Sequence, residues 1–196
     1  MNKEETSIQI PPYLKEGDKI GLISTARKIS KDELHQAIKL IESWGLEIVL
    51  GEHLFNSHHQ FSAKDDERTK DLQSMLDNPN VKAILCVRGG YGTVRIVDEI
   101  DFSQFKKNPK WVAGFSDITV LHSHLHKLNI ATLHSTMPIS FSSNSSEALK
   151  TLKDALLGKH LNIKIDHHPL NRIGEAKGKI VGGNLSILYS LTGSPS

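Results

Sequence analysis

A serine that follows an apolar strand and opens a helix is placed to act as a nucleophile. Ala113-Gly114-Phe115-Ser116-Asp117-Ile118 has that order. In such an elbow the serine side chain is thrust out at the sheet edge. Backbone N–H groups at the following helix start can then stabilise an oxyanion. Gly114 permits the tight turn. The match to G-x-S-x-G is partial, because residue 118 is Ile. Ser116 or Asp117 equally suits plain N-capping, a common use of these residues. A second segment, Arg88-Gly89-Gly90-Tyr91-Gly92, follows another apolar run. Its glycines let backbone N–H groups approach a ligand, as a phosphate cradle or as part of an oxyanion hole. It is neither a P-loop nor a G-x-G-x-x-G dinucleotide turn. Arg88 could take a substrate carboxylate in bidentate fashion. A structural turn with Arg88 in a surface ion pair is the alternative.

Histidine is the one residue type in excess, with 11 in 196 residues. His122, His124 and His126 do not make a metal site, since His124 points away from the side that His122 and His126 share. A zinc site needs three or four converging ligands. These histidines are expected to flank a core face of Ile118, Leu121, Leu125 and Leu128. His134 either lines a cleft or makes a structural hydrogen bond. Cys86, inside an apolar strand, reads as core and not as a nucleophile. Trp44 reads as core too.

These residues need a scaffold, and the periodicity supplies one. Lys19–Ser24, Leu46–Leu50, Val81–Val87, Trp111–Ala113 and Ile130–Leu133 read as strands. Ser30 to Glu33 has capping-box spacing, and Leu34, Ala37, Ile38, Ile41 and Trp44 mark one helix face closed by Gly45. Ser62 is expected to cap a helix running to Asp77. A short helix is expected over 93–99, another over 117–128, and a third opening at Asn144. Residues 1–17 read as a tail and a turn. Alternating strands and helices, with no short hairpin turn, predict an α/β domain with a mainly parallel sheet. Ligands of such sheets bind beyond the carboxyl ends of the strands, where both glycine-rich segments fall. Residues 159–180 read as a linker or crossover, and a new helix begins near Gly183.

Composition narrows the function. Lys plus Arg is 24 against 22 for Asp plus Glu, a formal charge of +2. That balance gives no electrostatic case for nucleic acid or a membrane surface. A single cysteine excludes an internal disulfide framework and suits a reducing compartment. The charged, proline-bearing start does not read as a signal peptide. A cytoplasmic protein is the expectation.

Several segments together resemble the LD-carboxypeptidases, or muramoyltetrapeptide carboxypeptidases, a serine peptidase family that includes the microcin C immunity peptidases. They are Gly17–Ile23 (GDKIGLI), Phe61–Arg68 (FSAKDDER), Val81–Gly92 (VKAILCVRGGYG), Gly114–Thr119 (GFSDIT) and Gly182–Ser186 (GGNLS). The resemblance implies a flavodoxin-like α/β domain over 1–158, the linker over 159–180, and over 181–196 the start of a smaller C-terminal domain. It implies hydrolysis of an L-to-D peptide bond, typically releasing D-alanine from a murein tetrapeptide in peptidoglycan recycling. It places Ser116 as nucleophile and the amides of Gly90 and Asp117 in the oxyanion hole. Arg88, Gly89 and Tyr91 would border the substrate. No metal or cofactor is implied, and a homodimer is. The family's base is a His oriented by a Glu; both are expected beyond Ser196, so none of the 11 histidines is nominated. His134-Ser135-Thr136-Met137-Pro138 departs from the family's His-Gly-Pro-Met. A muropeptide-binding module without turnover and an immunity peptidase acting on an aminoacyl-nucleotide antibiotic are the competing readings.

Overall fold

The computed structural model describes residues 7–195. The strands are β1 (Lys19–Ile23), β2 (Glu47–Leu50), β3 (Val81–Cys86), β4 (Trp111–Gly114) and β5 (Leu133–His134). They form one parallel sheet in the order β2-β1-β3-β4-β5. This is the flavodoxin-like order, in which the chain switches direction between β1 and β3. The helices are α1 (Lys31–Glu42), α2 (Asp65–Asp77), α3 (Ser103–Lys107), α4 (Thr119–Lys127), α5 (Ser146–Leu156) and α6 (Leu185–Ser190).

Strand alternation divides the core in two. Ile23, Ile84, Cys86 and Val112 face one side, packing with Leu72, Met75 and Leu76 of α2 and Val120, Leu121 and Leu125 of α4. Ile20, Leu22, Ala83, Leu85 and Ala113 face the other, against Leu34, Ala37 and Ile41 of α1 and Leu152 and Leu156 of α5. Both faces of each central strand are therefore covered, which is why these strands read as continuous apolar runs. Gly21 lets α2 lie close to the sheet, since a Cβ there would sit 2.7 Å from Met75 Sδ.

Local chemistry fixes several boundaries differently from the expectation. The box at α1 forms as read: Glu33 N donates to Ser30 Oγ at 3.2 Å and Ser30 N to Glu33 Oε2 at 2.8 Å. Ser62 does not cap α2. Its hydroxyl donates to Ser24 O at 3.0 Å, and Lys64 holds the cap position, its N–H donating to Glu67 Oε2 at 2.9 Å. Residues 93–99 form two 3₁₀ turns, Thr93–Arg95 and Val97–Glu99, because the chain leaves helical geometry at Ile96. The helix expected from Asp117 begins at Thr119, after a 3₁₀ turn over Ser116–Ile118. Ser145, not Asn144, caps α5: Ser145 Oγ accepts from Ala148 N at 3.2 Å. Asn144 instead donates to Ser140 O at 2.9 Å. The strand expected from Ile130 is confined to β5, and Ile130 bridges to Gln9. Gln9 is pinned there by Gln9 N to Asn129 O at 2.7 Å and Ala131 N to Gln9 O at 2.9 Å. The expected tail is thus tied to the domain at residue 9, and residues 1–6 lie outside the described residues.

Residues 159–184 carry no helix or strand and are exposed throughout. Beyond them α6 returns to the domain. Asn184 N donates to Thr119 Oγ1 at 2.9 Å, and Leu191 joins the α4 side of the core. Among the described residues, no helix is long and apolar enough to cross a membrane.

Candidate active site at the carboxyl ends of the strands

β4 delivers Ser116 in a conformation a serine seldom adopts. Its φ is +59°, in the left-handed region that L-residues avoid. Non-glycine residues held there cost of order 1–3 kcal/mol and cluster at functional sites. Ser116 is half-buried. Neither Ser116 nor Asp117 caps the helix that follows, so the capping alternative does not describe this turn. Among the described residues the Ser116 hydroxyl has no hydrogen-bond partner.

Asp117 turns inward. Its carboxylate is buried and accepts from Thr93 N at 2.9 Å and Thr93 Oγ1 at 2.7 Å. Thr93 Oγ1 also lies 2.7 Å from Thr25 Oγ1. One side chain therefore ties the segment after β4 to the one after β3, and the threonine pair reaches the segment after β1.

The Arg88–Gly92 loop lies directly beside Ser116. A Cβ on Gly89 would stand 3.4 Å from Ser116 Cβ, 3.5 Å from Asp117 N and 3.3 Å from Met137 Cε. Gly90 has φ +122°. A Cβ on it would meet Arg27 at 2.7 Å from Cδ. Glycine is required there by conformation and by space alike. The sequence-derived candidates Ser116, Asp117, Gly89 and Gly90 are thus brought together. Tyr91 borders them, half its surface exposed and its ring 6.4 Å from Phe61.

Arg88 is occupied elsewhere. Its Nη1 donates to Lys28 O at 3.0 Å and lies 3.5 Å from Glu33 Oε1. This is the surface ion pair held open as the alternative. Glu33 sits below the usual carboxylate range, mainly through Ser30's backbone N–H and hydroxyl, with Arg88 a smaller contributor.

Sequence reasoning missed the arginine that holds the loop. Arg68 sits in a charged first turn, Asp65-Asp66-Glu67-Arg68, which reads as solvated, yet it is 1% exposed. Its Nη1 donates to Gly92 O at 3.1 Å and to Thr25 O, and its Nη2 pairs with Asp65. Arg95 completes the cluster at 2.6 Å from Asp65 Oδ2, and both guanidinium groups lie over the Phe61 ring. Arg95 first, then Arg68, hold the Asp65 carboxyl below its ordinary value. The one signal for this role was that Phe61–Arg68 figured among the family-like segments.

The histidines are structural or peripheral. His122 is buried and its Nε2–H donates to Gly114 O at 3.0 Å, the carbonyl two residues before Ser116. Burial pushes its pKa down to about 4, against the Gly114 hydrogen bond, so the ring is neutral near pH 7. His124 stacks on Phe102 at 4.6 Å. Among the described residues no three His, Cys, Asp or Glu side chains converge on a point that could hold a metal ion. His134 pairs through the sheet with Gly114, its ring 6.0 Å from His122 and 6.5 Å from Phe115. Cys86 is fully buried, and burial pushes its thiol up to about 12, as a core residue. Trp44 is half-buried, its ring 6.2 Å from Phe141.

Known proteins resemble this chain in sequence and fold. The chain is 37% identical over 191 residues to a probable murein peptide carboxypeptidase of Bacillus subtilis. It is 29% identical over 189 residues to a murein tetrapeptide carboxypeptidase of Pseudomonas aeruginosa. These alignments cover 94% and 90% of the chain but 60% and 61% of the relatives, so the chain spans about three fifths of their length. Among solved structures, an MccF-like protein of Bacillus anthracis superposes with a TM-score of 0.69 at 26% identity, over 76% of this chain and 47% of that one. The model of the LD-carboxypeptidase N-terminal domain matches residues 20–135, which places Ser116 and both glycine-rich turns inside it, and the chain belongs to the LD-carboxypeptidase family.

Proposed function

We propose that the complete protein is a serine LD-carboxypeptidase that releases the C-terminal D-alanine of murein tetrapeptides in cytoplasmic peptidoglycan recycling. The observation that carries this reading is Ser116: a hydroxyl at positive φ, without a partner among the described residues, packed against Gly89 beside the Asp117 amide. In this reading Ser116 Oγ attacks the scissile carbonyl, and the Gly90 and Asp117 amides stabilise the developing oxyanion. Serine needs a base to take its proton. That base is a His oriented by a Glu, both beyond Ser196, in a C-terminal domain that residues 181–196 open. The imidazolium passes the proton to the leaving amine of D-alanine. Water, activated by the same base, then hydrolyses the acyl-enzyme. Gly89 and Tyr91 border the substrate, and the working form is a homodimer needing no metal or cofactor.

A second reading, an immunity peptidase cleaving an aminoacyl nucleotide, is favoured by the likeness to the MccF-like protein. One assay set separates these from a binding module. The complete protein should release D-alanine from a murein tetrapeptide, and Ser116→Ala should cut that rate by about 10⁴-fold or more. Cleavage of an aminoacyl nucleotide alone would select the immunity reading. Peptide binding with no product would select the module. Full turnover by Ser116→Ala would remove Ser116 as nucleophile.

A further inference from the structure

A carboxypeptidase must recognise the carboxylate that lies one residue beyond the bond it cuts. Equivalent atoms of neighbouring residues are about 3.8 Å apart, so the receiving group must sit immediately beside the oxyanion hole. Four arginines surround this region, and three are committed. Arg68 is buried on Gly92 O, Thr25 O and Asp65. Arg95 is held on Asp65 by its Nε at 2.9 Å and its Nη2 at 2.6 Å. Arg88 is turned to Lys28 O and Glu33.

Arg27 is the fourth. Its side chain lies along Gly90, with Cδ, Cγ and Nε at 2.7, 2.8 and 2.9 Å from where a Cβ of that glycine would stand. It is exposed, and among the described residues its guanidinium has no hydrogen-bond or ion-pair partner. Its backbone is fixed: Ser24 Oγ donates to Arg27 O at 2.6 Å, and Arg27 bridges to Phe61. The stem is thus anchored against the glycine whose amide is the proposed oxyanion donor, while the five-donor fork is unengaged.

We propose that Arg27, and not Arg88, receives the terminal carboxylate of the substrate. This rests on the serine carboxypeptidase reading, because it takes the Gly90 and Asp117 amides as the point from which the carboxylate is measured. The guanidinium fork matches a carboxylate in two parallel N–H···O bonds, and a lysine ammonium does not reproduce that geometry. The requirement for glycine at position 90 then serves two purposes. It exposes the amide, and it leaves room for the Arg27 stem beside it.

The test uses the complete protein carrying Ser116→Ala, so that bound peptide is not consumed. Calorimetric titration compares a murein tetrapeptide ending in free D-alanine with the same peptide as its C-terminal carboxamide. The acid should bind roughly tenfold or more tighter, as loss of a charge-assisted hydrogen bond implies. Adding Arg27→Ala should bring that ratio close to one, and Arg27→Lys should recover only part of it. Arg27→Gln keeps an aliphatic stem over Gly90 and should fail like Arg27→Ala, which covers a loop disturbed by truncation. Equal affinity for acid and amide, failure of both peptides to bind, or survival of the preference in both Arg27→Ala and Arg27→Gln would overturn the assignment. So would loss of the preference in Arg88→Ala alone. The nucleophile is judged apart from this. If Ser116→Ala still turns over the peptide, the serine reading fails while the acid-to-amide ratio still decides Arg27.

Discussion

The two ends of the sheet are built on different plans. At the carboxyl ends, side chains cross between segments that are distant in sequence. Arg68 binds carbonyls after β1 and β3, and Asp117 after β4 binds Thr93 after β3. At the amino ends a cleft of about 810 Å³ opens between Asp18, Lys82, Lys107 and Lys110. Several polar groups there bind near in sequence: Lys82 Nζ reaches Pro79 O at 2.8 Å and Lys15 N reaches Asp18 Oδ2 at 2.7 Å. The amino end therefore holds lysines around an open cleft, with Lys110 alone of those named buried on distant carbonyls, and the carboxyl end holds converging amides and the half-buried Ser116 hydroxyl. Catalysis of acyl transfer draws on fixed donors more than on volume, because donors already in place need no reorganisation during the reaction.

The sharpest way to break this contrast is to remove Arg68. Arg68→Leu leaves buried Thr25 O without its side-chain donor, at about 1–3 kcal/mol, takes from Gly92 O one of two donors, the other being Arg95 N at 3.1 Å, and breaks the pair with Asp65. A loss of roughly 3 kcal/mol or more is expected in urea denaturation, with Thr25 and Gly92 showing the largest gain in amide hydrogen exchange. A loss under about 0.5 kcal/mol would mean that the crossing bonds do not hold this end together.

Acid should act on the same end. His122 protonates at about 4 when folded, against an ordinary value of 6.5, because burial disfavours its charged form. Between these values the unfolded chain binds more protons than the folded one, so stability falls as pH falls from about 6.5 to about 4 and the effect levels off below. The contribution is on the order of 3 kcal/mol. His122→Gln keeps an N–H donor for Gly114 O and does not titrate. Subtracting its stability from that of the parent at each pH should isolate the effect from His53, which Asp71 raises and which acts in the opposite sense. A flat difference across that window would show that His122 is not the acid-sensitive group.

How legible all this was in the sequence depended on whether a signal is local. The mainly parallel sheet follows from strands alternating with helices, while its order is implied only by the family resemblance, and the Ser30–Glu33 box is spelled out within four residues. The Ser116 turn was legible because strand, glycine and serine are adjacent. The clamp was not, because Arg68, Thr93 and Asp117 meet only after folding, and a charged turn such as 65–68 reads as solvated until its burial is known. For Arg88 the sequence leaves a substrate carboxylate and a surface ion pair both open, because its partner Glu33 lies 55 positions away, inside a capping box. β5 was overextended because Ile130 spends its pairing on Gln9, a contact no periodicity encodes.

Lys110 tests the opposite end and should give the smallest effect. It is 5% exposed, and its Nζ donates to Met75 O at 2.9 Å and Asn78 O at 2.6 Å, carbonyls at the end of α2. Burial, with a smaller push from Lys82, lowers it to about 8, so its charge costs stability near pH 7 even as its hydrogen bonds contribute. Lys110→Met removes both at once. The net change should be a loss of about 1–2 kcal/mol: Met75 O loses its side-chain donor, which costs about 1–3 kcal/mol, and removal of the buried charge offsets part of that, while Asn78 O keeps Val81 N at 3.2 Å. Between about 8 and 10.5 the unfolded lysine holds more protons than the folded one, so the parent should gain on the variant as pH rises through that range. On the carboxypeptidase reading proposed above, D-alanine release by the complete protein should be unchanged, because among the described residues no side chain lining the amino-end cleft contacts Ser116. A fall in turnover comparable to that of a loop variant would show that the two ends are coupled through the strands, and the division between a holding end and a reacting end would have to be given up.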